Sequence, residues 1–150
     1  MRVLLLLPLL FIVGCASVTP PAQEEKLPVP AQIEGLSAQE LETGECGVFF
    51  WRDSVPRTFV FFQKQGQSQA RLFDQGAETI IETEQSTSNL ELDARFEFSY
   101  NGGNYEAVFV KAVFGDALEG GRRLSGGTIT TKKPDGWQEI LPVSGVYVCR

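Results

Sequence analysis

Three cysteines and no histidine bound the chemistry open to this chain. Without imidazole there is no Ser-His-Asp or Cys-His nucleophile and no HExxH zinc site. Gly66-Gln67-Ser68-Gln69-Ala70 comes near a nucleophile elbow, but its fifth residue is alanine and it lies between two extended segments, so a hairpin turn is expected. Gly120-Gly121-Arg122-Arg123-Leu124-Ser125-Gly126-Gly127 has the glycines and arginines to cradle a phosphate or carboxylate. No helix follows to complete a phosphate site, and a mobile loop with solvated charges is expected. Glu78, Glu82 and Glu84 share strand parity, with Glu91 and Asp93 close by in sequence. Paired carboxylates can hydrolyse glycosides, but spread over a hairpin these form an exposed acidic face or a weak cation site. No catalytic residue, metal site or cofactor is assigned, and the chain is not read as an enzyme.

Cys15 belongs to a different kind of chemistry. It follows Met1 and Arg2, an apolar run from Val3 to Val13 broken only by Pro8, and Gly14. That run is about 11 residues, whereas a bilayer-spanning helix needs about 20, so it fits the apolar core of a cleavable signal. Ile12-Val13-Gly14-Cys15 resembles the lipobox of bacterial lipoproteins, with Val13 bulkier than the usual small residue. The resemblance implies that residues 1–14 are a signal peptide and that Cys15 becomes the acylated first residue of the mature chain. It also implies, because Ala16 follows instead of aspartate, an outer-membrane anchor facing the periplasm, with the inner membrane or cell surface as alternatives. Several acyl chains on one cysteine meet the need for more than one hydrophobic signal in stable anchoring.

Residues 15–35 form the lipidated N-terminus and a tether. Pro20, Pro21, Pro28 and Pro30 and the cluster Glu24-Glu25-Lys26 leave little apolar surface to offset the entropy of ordering. At about 3.1 Å per residue in the polyproline conformation, such a tether reaches roughly 60 Å. Ser37 and Glu40 have capping-box spacing, which predicts a short helical turn from Ala38 to Glu42, closed by Thr43-Gly44.

Residues 36–150, about 115 in number, suffice for one hydrophobic core. Short apolar runs separated by turn residues predict an all-β domain of about eight strands, a small antiparallel barrel or sandwich with the meandering barrel favoured. Phe96, Phe98 and Tyr100 alternate with polar residues and form one buried face. Phe59-Val60-Phe61-Phe62 and Ala107-Val108-Phe109-Val110 are apolar on both faces, as expected of central strands or strands covered by a loop. Asn101-Gly102-Gly103-Asn104 is a hairpin signal. With Cys15 acylated, Cys46 and Cys149 remain as an even pair in an exported chain, which predicts a disulfide joining the first strand to the last.

A net charge of −6 argues against nucleic acid and is compatible with a basic protein partner. The expected function is non-catalytic: a membrane-anchored envelope lipoprotein whose periplasmic domain binds an unidentified protein. The layout of a β-domain with one cysteine near each end resembles the membrane-bound inhibitors of C-type lysozyme, which carry a Ser-Gly-x-x-Tyr motif and a downstream lysine. Here Asn101-Gly102-Gly103-Asn104-Tyr105 keeps the glycine and tyrosine but has asparagine for serine, Lys111 follows sooner than in that family, and Ser125-Gly126-Gly127 lacks the tyrosine. The resemblance implies lysozyme as an alternative partner, contacted by Asn101, Tyr105 and Lys111. The anchor itself is open to test: Cys15→Ser should abolish labelling with a fatty-acid analogue and release the protein from the membrane fraction, and a labelled, membrane-bound variant would contradict it.

Overall fold

Period-two alternation sorts the side chains of this chain into an inside and an outside. The computed structural model describes residues 34–87 and 95–150. The signal peptide, Cys15, the tether as far as residue 33, Glu91 and Asp93 lie outside the described residues. Eight strands follow one another: β1 (Cys46–Arg52), β2 (Phe59–Lys64), β3 (Gln69–Asp74), β4 (Ala77–Glu82), β5 (Arg95–Gly102), β6 (Tyr105–Leu118), β7 (Gly121–Lys132) and β8 (Gln138–Cys149). Each pairs antiparallel with the next, and β1 pairs with β8, so the sheet is a closed up-and-down barrel and not a sandwich. The Asn101–Asn104 segment makes the β5–β6 hairpin, with Gly102 opposite Tyr105.

The interior is filled by aromatic and branched side chains. Phe50, Phe61 and Phe96 are fully buried, and the Phe50 ring lies 5.8 Å from each of the other two. Tyr100 meets Phe61 edge-on at 5.6 Å, a geometry worth about 0.5–1.5 kcal/mol beyond area burial. The run Phe59-Val60-Phe61-Phe62 is apolar throughout because of a bulge. Phe50 pairs with Phe61 and Trp51 with Phe59, leaving Val60 as an extra residue. Val60 and Phe61 both join the interior, while Phe59 and Phe62 belong to a second, outer cluster.

That outer cluster lies beneath the segment that precedes β1. Leu36 and Leu41 are buried against Phe62, with Phe49, Phe59, Phe73 and Val148 around them, and the Leu36 amide donates to the Phe59 carbonyl at 2.8 Å. The helical turn expected over residues 38–42 does not form; residues 36–42 make an extended strap. Leu36 and Leu41 are five residues apart, a spacing that a helix would turn onto different faces, so one helical turn could not bury both against Phe62. The polar groups settle accordingly. The Gln39 amide donates to the Ser37 carbonyl, and the Glu42 amide donates to the Glu45 carboxylate instead of entering a helix. Thr43-Gly44 does form the expected turn. Glu45 also pairs with Lys64 at 2.6 Å, and the Glu42 amide and Lys64 together hold its carboxyl below its ordinary value.

Cys46 and Cys149 face each other across the β1–β8 seam and are disulfide-bonded, as expected from cysteine parity. The bond closes a loop of about 100 residues, for which the chain-entropy model gives about 4.7 kcal/mol. A Cys46→Ala/Cys149→Ala double variant should lose about 2–5 kcal/mol of unfolding free energy in urea titration; an unchanged midpoint would show that strand pairing alone closes the barrel.

Candidate functional site

The residues singled out from sequence do not form one constellation. Asn101 is exposed at the end of β5, and Tyr105 begins β6 at the same hairpin. Tyr105 is half-buried, and its hydroxyl donates to the Asp74 carboxylate of β3 at 2.6 Å. Lys111 lies six residues further along β6, roughly 20 Å away by strand rise, where it pairs with Glu97 at 2.8 Å. Gly66-Gln67-Ser68 is the connection between β2 and β3, as expected, and Thr87 bonds back to it through the Gln67 carbonyl. Glu78 pairs with Arg71, and Glu82 accepts from Gln69, so these carboxylates sit on the outer face with partners of their own. No group of three His, Cys, Asp or Glu able to hold a metal occurs among the described residues.

The glycine-rich segment 120–127 is not a mobile loop. Only Glu119-Gly120 turns, and β7 begins at Gly121. A β-carbon on Gly121 would lie 2.0 Å from the Tyr147 carbonyl oxygen, so glycine here lets β7 lie against β8. At Ser125-Gly126 the chain bulges: Leu124 pairs with Gly145 and Gly127 with Val143, and Gly126 takes a φ of 58°. Glycines that suggested a ligand loop therefore serve close strand packing and a bulge. Arg122 turns to the Gly115 carbonyl at 2.9 Å.

That bulge borders a cleft of mixed chemistry. It encloses about 390 Å³ and is lined by Trp51, Asp53, Arg57, Arg123, Ser125 and Ser144. The register of the barrel explains how distant residues meet there. Trp51 pairs with Ser144 across the β1–β8 seam, and Arg123 pairs with Val146 across β7–β8. Asp53 and Arg57 come from the β1–β2 connection, which is held to β8 by an Asp53 amide to Pro142 carbonyl bond of 3.1 Å. Trp51 is stacked on Phe59 with ring centroids 5.3 Å apart, which fixes the indole. Of this set Arg123 and Ser125 were flagged by sequence, through their place among the glycines.

A second surface is apolar. Phe109, Thr130 and Ile140 are cross-strand neighbours on β6, β7 and β8, so their side chains form one outward row. Ile140 is 65% exposed and Phe109 38%, with Val113 further along β6 at 48%. The strap covers the outer faces of Phe49, Phe59 and Phe62, whereas this row lies open. Comparison with protein-family models, curated proteins and solved structures returned no match.

All three tyrosines are tied into the barrel. Tyr100 donates to Gln63 at 2.6 Å inside it, and Tyr147 donates to Gln65 at 2.7 Å. Burial pushes the phenols of Tyr100, Tyr105 and Tyr147 above their ordinary value of 10.0, and the Asp74 carboxylate adds to the effect at Tyr105. The folded state therefore keeps these protons at a pH where the unfolded chain loses them. This stabilisation is complete below pH 10 and falls as pH rises above it. In a titration from pH 8 to 12, the thermal midpoint should drop above pH 10, and tyrosinate absorbance should rise only with loss of near-ultraviolet dichroism; tyrosinate forming at pH 10 in a folded protein would refute it.

Proposed function

We propose that this chain is a lipid-anchored envelope protein whose β-barrel is a non-catalytic recognition module for a protein partner. The observation that supports this most is the exposure of Phe109 and Ile140 on either side of Thr130, with Val113 further along β6, on a chain of net charge −6. Exposed apolar surface of this kind costs solubility and is characteristic of contact sites. Among the described residues, aromatic and branched side chains pack the interior of the barrel. Two further exposed side chains, Val55 at 94% and Trp137 at 62%, lie in the β1–β2 and β7–β8 connections.

Inhibition of a C-type lysozyme is the alternative. A barrel whose first and last strands are joined by a cysteine pair has the architecture that resemblance implies. The bonding of Tyr105 weighs against its chemistry, since the phenolic proton is already donated to Asp74. Mixing the domain with C-type lysozyme at stoichiometric excess and following cell-wall lysis separates the two readings.

The partner surface can be located by cross-linking. A photoreactive residue at position 140 or 109 of the lipidated protein should give a discrete adduct in intact cells, and one at the exposed strap residue Glu40 should not. Phe109→Glu should remove the adduct formed from position 140. Absence of any adduct from positions 109, 113 and 140 in membrane-attached protein would overturn the assignment.

A further inference from the structure

The cleft beside Trp51 brings together two arginines, Arg57 and Arg123. Among the described residues, Lys64, Arg71, Lys111 and Lys132 are paired with carboxylates, and Arg122 and Arg150 donate to backbone carbonyls. Arg57 and Arg123 have neither kind of partner among the described residues; both are exposed and both line this one cleft. In a chain of net charge −6, two guanidiniums that pair with no carboxylate, beside the single carboxylate of Asp53 on the same walls, form a receptor for a carboxylate or phosphate.

Asp53 narrows the ligand. A phosphate or sulfate ion brings only acceptors and negative charge, which Asp53 repels at close range, so the ligand must also carry O–H or N–H donors. Ser125 and Ser144 both donate and accept, which suits hydroxyl groups. Trp51 gives a flat wall already fixed by Phe59, and the cleft volume lies within the range of about 300–1,000 Å³ usual for small-molecule sites. A run of acidic side chains on a peptide meets the negative field of the whole domain, while a single carboxylate on an otherwise neutral ring meets little of it.

We propose that this cleft binds an acidic saccharide, with its carboxylate on Arg57 and Arg123, its hydroxyl groups on Asp53, Ser125 and Ser144, and one ring face against Trp51. The site shares none of these residues with the row of Phe109 and Ile140, and the inference stands apart from the protein-partner reading.

The test uses the full chain in detergent micelles, titrated by calorimetry with N-acetylmuramic acid and with N-acetylglucosamine, which has the same ring without the lactyl carboxylate. The acid should bind saturably and at least about ten-fold more tightly, as expected for charge-assisted hydrogen bonds. Arg57→Gln and Arg123→Gln should each weaken the acid by about ten-fold and leave the neutral sugar unchanged, whereas Trp51→Ala should weaken both. The two arginines are exposed, so near-ultraviolet dichroism should show both variants folded. Equal affinity for the two sugars, no saturable binding of the acid, or undiminished binding in the Arg57→Gln/Arg123→Gln double variant would overturn the proposal. Tighter binding of triglutamate or inorganic phosphate would overturn it as well. Cross-linking from position 140 should be intact in the double variant, which separates failure of this site from failure of the partner surface.

Discussion

Closure of β1 on β8 is the constraint on which the other features depend. The seam runs from Cys46 opposite Cys149 to Arg52 opposite Val143. A sheet left open there would expose two rows of unpaired amides and carbonyls, the usual template for edge-to-edge aggregation. Closure also fixes register. A slip of one residue along the seam would exchange Phe50, fully buried, for Phe49 or Trp51, and would separate Trp51 from Ser144. The disulfide holds this register covalently at one end of the seam. The packed interior, the seat for the strap and the cleft across the seam all follow from the same pairing.

Much of this architecture was legible in the sequence because its signals are local. Alternation in Phe96, Phe98 and Tyr100 depends only on neighbours two apart, and all three turn toward the interior as expected. Asn101-Gly102-Gly103-Asn104 carries its hairpin chemistry within four residues. The two departures have tertiary causes. Ser37 and Glu40 have the spacing of a helix cap, but the outer faces of Phe49, Phe59 and Phe62 offer burial that a short isolated turn cannot match. Gly120 to Gly127 has the composition of a loop, and only the approach of β8 to Gly121 shows why a strand needs glycine there.

The candidate site was less legible for a related reason. Trp51, Arg57, Arg123 and Ser144 are scattered over most of the domain sequence and meet only after the sheet has closed with a bulge at Ser125-Gly126. Arg123 stood out beside Arg122, yet the two diverge: Arg122 caps the Gly115 carbonyl and Arg123 reaches the cleft. The residues read as a hairpin-tip contact, Asn101 and Tyr105 with Lys111, are instead divided among the β5–β6 turn, a bond to Asp74 and an ion pair with Glu97. With the core filled, chemical variety is left to the outer wall, which carries a strap on one side, a charged cleft over the seam and an apolar row beyond it.

The strap has a mechanical consequence. A pull on the N-terminal side of the domain meets Leu36 and its bond to Phe59 first, then Leu41, and these peel in turn because each rests on the outside of the barrel. At Cys46 the peeling stops, since the load passes through the sulfur bridge to Cys149 and is borne by the seam as a whole. The segment between Leu36 and Cys46, roughly 35 Å long at full extension, therefore detaches before the barrel itself carries the load.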